Sequence, residues 1–444
     1  MKRLNAAELE IALFCKGIRI DSSCAIDEDG RLFSRTRAGL GSGLELVIPG
    51  DLKDIWMNVP VEEDFAQKSP YLLVKRSKDY MILDESQNAV YPVIIPTEPS
   101  WYSQKTGSGV PMYRVGVLQG TYLGIYLSNS CSYWFQEPAV NCKFCTTGYN
   151  VGVNEVAVKS VDDVVETAQA AKQESGITFI HFNSGFQNDH DLDLAGPYVK
   201  AIKERVGLLV GIQMVPTGNL WKYDWLMDLG VDHFSFCYEF HNPEYFARYC
   251  PGKEKTLGQK AFFKALEYTV QKLGKGSCSG EIIAGVEPLE DTADAIDYIT
   301  DIGAFPTVCI FRPVIGSDME DHPAPKYEDM VQIMRYMYEC CVKKGIPIGV
   351  APNIEVSLIV QPDDGRYLVP RDFRFYKNEL LLKAKRFLAR KFVFEKELTP
   401  KQIDASVKNP ESYKTKWHDQ TRYSALALGR QDVCQSCTIE RNVT

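Results

Sequence analysis

Apolar runs that look like strands alternate with segments of helical period from about residue 120 to about residue 345. Such alternation is typical of βα units that build a parallel sheet. The strands are predicted at 121–127, 177–182, 207–214, 233–240, 279–285 and 306–313. The helices are predicted near 160–174, 192–205, 220–229, 256–273, 290–302 and 326–343. Six consecutive units predict an α/β fold with a partial TIM-type barrel, (β/α)6, whose chemistry gathers in the loops after the strand C-termini.

The pattern differs on both sides of this section. Short β-branched or aromatic runs, separated by turn residues, come first at 44–49, 71–75, 80–83 and 90–96. After residue 350 the regularity fades, and an Arg/Lys-rich amphipathic helix is predicted near 377–392. We therefore predict a β-rich N-terminal extension over 1–115, the barrel over 116–350, and a helical or irregular C-terminal extension over 351–444.

The composition is that of an ordinary globular protein, with 45% apolar and 24% charged residues. The formal net charge is −8, and no Lys/Arg run resembles a stripe that tracks phosphates, which disfavours nucleic acid as a partner. The first residues turn acidic too soon for a signal peptide, and no apolar run approaches the roughly 18 residues of a membrane span. We expect a cytoplasmic protein with no membrane partner.

Three of the 13 cysteines, Cys131, Cys142 and Cys145, follow the first predicted barrel strand with the spacing C-x10-C-x2-C. Three thiols, with no fourth Cys or His nearby in sequence, are too few to complete a zinc site or an all-cysteine iron–sulfur cluster locally. A cubane held by three thiolates would keep one iron open, where a cofactor can bind. The loop after the first strand is also where a barrel active site begins.

A second pair of thiols, Cys434 and Cys437, lies in the C-terminal extension. A C-x2-C pair needs two further ligands to hold a metal centre. Cys15 with Cys24, or the adjacent thiols at 340 and 341, would supply them if they meet this pair on the barrel. Two interpretations of this pair therefore stay open. It holds a second iron–sulfur cluster or another auxiliary metal, or it is a pair of thiols without a metal.

The segment Cys142-Lys143-Phe144-Cys145, with Cys131 upstream, resembles the motif C-x3-C-x-Φ-C (Φ aromatic) of the radical S-adenosylmethionine (SAM) superfamily. The resemblance covers roughly residues 120–345, and the segments E-F-H-N-P-E and G-V-E-P are similar to the biotin synthase-like branch. One departure is the gap of ten residues between the first two cysteines, where the family has three.

This resemblance implies a [4Fe-4S] cluster on the three cysteines, with SAM bound at the open iron. Reductive cleavage of SAM would give a 5′-deoxyadenosyl radical that abstracts hydrogen from a small molecule such as a cofactor precursor, an amino acid or a natural product. It also implies a flavodoxin- or ferredoxin-type electron donor. Phe144, between two of the cysteines, would shield the cluster and pack against adenine.

The resemblance also assigns residues to SAM. Glu239, at the end of the fourth strand, would face the ribose, and Arg248 would meet the methionyl carboxylate. The glycine–glycine–glutamate segment that holds the SAM amino group in the family is replaced here by Asn183-Ser184-Gly185-Phe186, so Asn183 and Ser184 become candidates for that role. Glu287 lies in G-V-E-P, at the end of the fifth strand.

Two residues are candidates for substrate contact. Arg312, at the end of the sixth strand, would suit an anionic group, since the later strand ends of barrels often handle anions. Tyr133 belongs to an aromatic loop over 133–138, which we expect beside the cluster. His181 and His233 lie in apolar surroundings and are expected to be satisfied core histidines rather than ligands.

Two other classes of protein would also explain the three cysteines. A zinc-dependent barrel hydrolase or lyase would complete a tetrahedral site with a ligand from elsewhere in the chain. A non-catalytic iron–sulfur carrier or scaffold would hold a cluster without cleaving SAM. The first would be colourless, and the second would show the visible absorption of a cluster.

Overall fold

The computed structural model describes residues 3–24, 43–188, 190–408 and 410–415. Its N-terminal region has two small sheets, one with the strand order β1-β4-β5-β6 and one formed by the antiparallel pair β2-β3. The strands are β1 (Arg19–Ile20), β2 (Leu44–Ile48), β3 (Ile55–Val59), β4 (Tyr71–Arg76), β5 (Asp79–Asp84) and β6 (Ala89–Val93). The helices are α1 (Ala6–Lys16) and α2 (Asp64–Gln67).

A larger sheet follows, with the order β13-β12-β11-β10-β9-β8-β7. Its strands are β7 (Val117–Gln119), β8 (Tyr122–Tyr126), β9 (Phe179–Asn183), β10 (Leu209–Gln213), β11 (His233–Glu239), β12 (Cys278–Ala284) and β13 (Phe305–Ile310). Strands β8 to β13 are parallel to one another, and β7 is an antiparallel edge strand paired with β8. The predicted α/β class and partial (β/α)6 barrel are thereby confirmed.

Most helices of this section connect the parallel strands. They are α3 (Met112–Val115), α4 (Thr147–Asn150), α5 (Val161–Ser175), α6 (Asp191–Arg205), α7 (Trp221–Asp228), α8 (Pro243–Tyr249), α9 (Pro251–Thr256), α10 (Gln259–Leu273), α11 (Leu289–Asp301) and α12 (Tyr327–Lys344). The six predicted strands and six predicted long helices are present with ends within three residues of the prediction.

Local sequence explains where these helices begin and end. In α5, Ser160 and Asp163 form a capping box, in which each side chain accepts from the other residue's backbone N–H. The same helix ends at Gly176, whose φ of 63° is left-handed and favours glycine. A polar cap at one end and a glycine at the other thus bound a helix whose apolar face packs on the sheet.

The N-terminal region covers the open side of the partial barrel. The Arg312 guanidinium, after β13, donates to the Asn58 carbonyl of β3 at 2.9 Å. On the opposite edge, the Gly120 N–H in the β7-β8 turn donates to the Glu45 carboxylate of β2 at 2.6 Å. The β2-β3 hairpin therefore bridges the two edges of the sheet, and one apolar core is shared by both regions.

The C-terminal region lies at the other end of the barrel from the strand C-termini. It comprises a 3-10 segment (Pro362–Leu368), α13 (Phe373–Ala389), a π-helical turn (Arg390–Phe394) and α14 (Glu395–Glu397). Phe394 and Leu398 pack against Tyr122, Phe179 and Leu209, the first residues of β8, β9 and β10. Among the described residues, no helix is both long and apolar enough to cross a membrane.

Helix α1 and strand β3 were not predicted. Helix α1 begins at Asn5, whose side chain forms a capping box with Glu8, a signal that the sequence does carry. Strand β3 alternates buried and half-buried residues and pairs with β2, a register that only the tertiary contact reveals.

Candidate active site

The three predicted cysteines lie in the long loop between β8 and α5, at the C-terminal ends of the parallel strands. Near Cys131 the loop is tied to the segment after β9. The Ser132 N–H donates to the Phe186 carbonyl at 3.0 Å, and the Gly185 N–H donates to the Tyr126 hydroxyl at 2.7 Å. A side chain at Gly185 would collide with the Cβ of Cys131, so this close approach requires glycine.

The second half of the loop is tied to the corner between α8 and α9. The Lys143 N–H donates to the Tyr249 carbonyl at 2.9 Å, and the Gly252 N–H donates to the Val140 carbonyl at 2.9 Å. A Cβ at Gly252 would lie 2.6 Å from that carbonyl oxygen, which explains the glycine. This pairing places Cys142 beside Cys250.

The thiols of Cys131, Cys142 and Cys145 interact electrostatically, which places them in one neighbourhood. Burial raises the pKa of Cys131 to about 12 and that of Cys145 to about 11, and the charge of neighbouring thiols adds to both shifts. Thiols held neutral by burial are released as thiolates when a metal binds them, so metal binding here expels protons. The loop therefore offers three sulfur donors in one region of the protein, although they are not arranged to hold a metal ion directly.

Cys142 differs from the other two because it has two neighbours that the local sequence does not reveal. A hydrogen bond from Cys250, and then the Lys253 ammonium, hold the pKa of Cys142 below its usual value against the effect of burial. Burial raises the pKa of Cys250, which stays a protonated donor. The thiolate of Cys142 is thus supported by an S–H group and a cation.

Lys253 is the buried cation of this site. Its side chain is 10% exposed, and its ammonium donates to the Glu239 carboxylate at 2.6 Å and to the Cys237 carbonyl at 2.7 Å. Burial would lower the pKa of Lys253, but Glu239 and the surrounding thiols raise it well above its usual value, so it stays charged. A compact cation therefore sits between the sulfur donors and a carboxylate.

Glu239 occupies a strained position at the end of β11. Its φ of 67° is left-handed, which is rare for a residue with a side chain. The pairing of β11 with β12 shifts between Cys237 and Glu239, so the strand bulges there. Strain of this kind persists where the surroundings fix it and is concentrated at functional sites.

Asn183 and Ser184, at the end of β9, differ in the hydrogen bonds that their side chains form. The Oδ1 atom of Asn183 is buried and accepts no hydrogen bond from the described residues. The Ser184 hydroxyl donates to the Asp191 carboxylate at 3.1 Å, near the start of α6. Of the pair, Asn183 carries the polar atom that is left for a ligand.

Glu287 and Arg248 lie away from the thiols. Glu287 accepts from the backbone N–H groups of His241 and Asn242 at 2.9 and 3.0 Å, and so supports the start of α8. Burial raises its pKa to about 7. Arg248 is exposed on α8, with its guanidinium 5.2 Å from the ring centre of Tyr249, and the structure does not bring it to Glu239.

Arg312 and Tyr133, the substrate candidates, both have intramolecular contacts. Arg312 lies 3.6 Å from the Glu63 carboxylate in addition to its bond to Asn58. Tyr133 is buried, stacks on Phe186 with a centroid distance of 4.6 Å, and shares a hydrogen bond with Thr256. Their roles toward substrate stay predictions.

The expected aromatic loop over 133–138 is only partly an exposed loop. Tyr133 points inward, whereas Phe135 is 71% exposed. Phe144 packs against Phe240 in an edge-to-face arrangement at 6.0 Å and lines a small cavity that Arg312 and Cys309 also line. The loop is thus anchored beside the thiols by one aromatic residue and presents another to solvent.

Below the thiols, the barrel interior contains a polar network that the sequence did not assign. The Cys237 thiol donates to the Glu281 carboxylate at 2.8 Å, and Gln213 and Ser235 also donate to Glu281. Burial raises the pKa of Glu281. These side chains come from three adjacent strands, so they line the interior of the sheet between the thiols and its N-terminal end.

The two histidines lie deeper in the interior. Burial lowers the pKa of His181 to about 3 and that of His233 to about 4, so both are neutral. His233 contacts the Ser277 carbonyl through Nδ1 at 2.8 Å. The expectation of satisfied core histidines fits His233, whereas the buried Nε2 atom of His181 has no hydrogen-bond partner among the described residues.

No group of three or more His, Cys, Asp or Glu side chains within the described ranges is arranged to hold a metal ion directly. Cys434 and Cys437 lie outside the described residues, so the auxiliary metal stays a prediction. Of its suggested partners, Cys15 and Cys24 are buried in the N-terminal region.

Comparison with known proteins gives distant relatives, and no family model matches the chain. Over 268 residues it is 23% identical to the bacteriochlorophyllide c C-7(1)-hydroxylase of Chlorobaculum limnaeum, covering 55% of this chain and 66% of that protein. Over 171 residues it is 26% identical to the biotin synthase of a Nitratiruptor species, covering 37% of this chain and 58% of that protein. The chain thus spans less than two thirds of the length of each of these relatives.

Among solved structures, the chain resembles the FeFe-hydrogenase maturase HydG from Carboxydothermus hydrogenoformans. The TM-score is 0.40 and the identity 18%, covering 69% of this chain and 78% of that one. At this level of similarity, we draw no conclusion from the likeness.

A partial parallel barrel with three grouped thiols after its first parallel strand defines a class of iron–sulfur barrel proteins. The two curated relatives are radical SAM proteins, which confirms the resemblance to that superfamily predicted from the sequence. Proteins of that superfamily use a [4Fe-4S] cluster and SAM.

Proposed function

We propose that this protein reductively cleaves SAM at a [4Fe-4S] cluster held by Cys131, Cys142 and Cys145, and abstracts hydrogen from a small-molecule substrate. The observation that carries the proposal is the grouping of these thiols with Lys253 and Glu239 at the C-terminal ends of parallel strands. When bound, the cluster and SAM supply the reducing electron and the 5′-deoxyadenosyl radical, chemistry that no side chain provides.

The chain's contribution to the cluster is three thiolates and their surroundings. Cys250 donates its S–H to Cys142, and the Lys253 ammonium adds positive charge nearby. Hydrogen bonds and charges near cluster sulfurs set its reduction potential. Both groups stabilise added negative charge, so they make the cluster easier to reduce.

For SAM, the residues present supply groups that match its polar ends. Lys253 is the better candidate for the methionyl carboxylate, because Arg248 is exposed on the outside of α8. Glu239 can accept from ribose hydroxyls, and the unpartnered Oδ1 of Asn183 can accept from the amino group. Phe144 adds an apolar surface beside the thiols.

The substrate would enter the barrel interior beneath SAM. Gln213, Cys237 and Glu281 form the polar surface there, and they would orient a hydroxyl, amino or amide group of the substrate. The two relatives, by their names, act in the hydroxylation of a bacteriochlorophyllide and in the synthesis of biotin. This supports a substrate related to cofactors and their precursors, with a flavodoxin or ferredoxin as electron donor.

The proposal is tested by anaerobic reconstitution with iron and sulfide, followed by SAM and a strong reductant. We expect the visible absorption of a cluster and the formation of 5′-deoxyadenosine and methionine. A Cys142→Ala variant should lose both signals, whereas Cys278→Ala, which removes a buried thiol at the start of β12, should keep them. A colourless protein that binds zinc would favour the hydrolase alternative, and a cluster without SAM cleavage would favour the carrier.

A further inference from the structure

Helix α13 presents an apolar stripe to solvent. Phe373, Tyr376, Leu380 and Phe387 follow one another at intervals of three, four and seven residues, so they share one face. Their exposures are 82%, 61%, 70% and 67%. Phe392, in the π-helical turn that continues the helix, is 63% exposed. Large side chains are rarely exposed in such a row, so the stripe indicates an interaction surface.

The other face of α13 is fixed to the protein. Phe375 is buried, and the Arg386 guanidinium donates to the Gly349 carbonyl at 2.6 Å. Glu379 forms an ion pair with Arg366 at 3.1 Å. These contacts hold the helix in one orientation, with its apolar stripe pointing away from the body.

The stripe is set in a strongly basic segment. Between Phe373 and Phe394 the sequence has seven basic residues and one acidic residue, in a chain whose net charge is −8. Six of the basic side chains are exposed, and they are Arg374, Lys377, Lys383, Lys385, Arg390 and Lys391. The long apolar stems of Lys and Arg can lie on an apolar surface while their charged ends reach a polar layer beside it.

The position of α13 leaves the candidate active site free. The chain after α13 packs at the N-terminal ends of β8, β9 and β10, opposite the end that carries the cysteine loop. A partner on α13 therefore does not cover the strand C-termini, where substrate and electron donor would approach.

We propose that α13 and its π-helical turn, residues 373–394, form an interfacial helix that binds an anionic lipid surface. An apolar stripe with Lys and Arg on the same helix is the pattern of helices that lie in the headgroup region. Negatively charged lipids complement the basic segment, whereas a second copy of the same face would bring like charges together. This proposal departs from the expectation of no membrane partner, which considered only segments that would span a bilayer.

Sedimentation with lipid vesicles tests the proposal on the full chain. We expect binding to vesicles of equal parts phosphatidylcholine and phosphatidylglycerol, weak binding to phosphatidylcholine alone, and loss of binding at high salt. The double variant Leu380→Glu/Phe387→Glu should lose at least tenfold in affinity. Replacing Lys383 and Lys385 by Gln should lose about fivefold for each residue.

Val342→Glu, on the exposed side of α12, is the matched control and should bind as the wild type does. Elution volume and circular dichroism verify that each variant is folded. Absence of vesicle binding by the wild type overturns the proposal. It is also overturned if the double variant converts a dimer into a monomer, which assigns the stripe to a second copy.

Discussion

Two lysines of this protein are buried to the same degree but have different neighbours. The side chains of Lys53 and Lys253 are each 10% exposed. Lys53 lies 2.7 Å from Glu355, 2.9 Å from Asp364 and 3.4 Å from Asp363, and it joins the N-terminal region to the 3-10 segment at 362–368. Lys253 has one carboxylate partner, Glu239, and is otherwise surrounded by thiols and a carbonyl.

The difference in neighbours indicates that Lys53 has a structural role and Lys253 a functional one. Around Lys53 the carboxylates outnumber the cation, so its charge is fully compensated in the folded chain. Around Lys253 the additional neighbours are thiols: burial raises the pKa of Cys237 and Cys250, whereas the pKa of Cys142, the proposed cluster ligand, is lowered. Lys253 is thus positioned for charge that arrives with a cofactor, whereas Lys53 stabilises charge that the chain already contains.

The largest expected effect is the loss of the cluster when one of the three loop cysteines is changed, which no other thiol should cause. Changing any one of Cys131, Cys142 and Cys145 to Ala should abolish nearly all cluster absorption after reconstitution, because three thiolates are needed for a cubane with one open iron. Cys278→Ala, which removes a buried thiol at the start of β12, should retain the cluster. Full iron content in the Cys131 variant would show that the ten-residue gap separates it from the cluster.

The next largest expected effect is the loss of stability caused by Lys53→Met. Removing the cation leaves Asp364 and Glu355 without their cationic partner, while Asp363 keeps Arg366 and Arg386. Breaking a buried ion pair in this way costs about 3–5 kcal/mol in the free energy of unfolding. Unfolding of the apoprotein in urea measures the change. Lys344→Met, which breaks an exposed ion pair with Asp301, serves as the control and should cost less than about 1 kcal/mol.

Lys253→Met should lower the reduction potential of the cluster, in addition to the loss of stability from leaving the buried Glu239 without its cation. At an effective dielectric constant of about 20, a unit charge within about 10 Å of a redox centre contributes on the order of 2 kcal/mol. Its loss should lower the reduction potential by about 100 mV, measured by an anaerobic redox titration. An unchanged potential in Lys253→Met, or an equal shift in Lys53→Met, would remove the distinction between the two lysines.

The smallest expected effect is a pH dependence carried by Glu287. Its pKa is raised from the usual value to about 7, so the folded protein holds a proton that the unfolded chain releases at lower pH. Stability is therefore present in full below the unfolded pKa and falls as pH rises toward 7, by at most about 1.4 kcal/mol per pH unit. Thermal unfolding of Glu287→Gln should lose this part of the slope, whereas the exposed Glu62→Gln should keep it.

The barrel could be predicted from the sequence because each unit repeats a local signal. Apolar runs, helical periods and caps such as Ser160 depend on residues close in the chain. Helix α1 was missed although the Asn5 capping box was present. Strand β3 depends on pairing with β2, which no local pattern specifies.

The site was predictable only in part. The cysteine spacing and Glu239 follow from motifs, but Lys253 lies in P-G-K-E-K, a sequence typical of an exposed helix start. Its burial results from docking of the α8-α9 corner on the cysteine loop through Gly252 and Val140, a long-range contact. The same docking places Cys250 inside and leaves Arg248 outside, which the motif alone does not distinguish.

The central claim is that SAM binds between the cysteine loop and the Lys253–Glu239 pair. The most direct test is the electron paramagnetic resonance spectrum of the reduced cluster with and without SAM. We predict that SAM changes the spectrum of the wild type, that Lys253→Met needs much more SAM for the same change, and that Lys53→Met behaves as the wild type. A spectrum that SAM leaves unchanged in the wild-type protein would contradict the account.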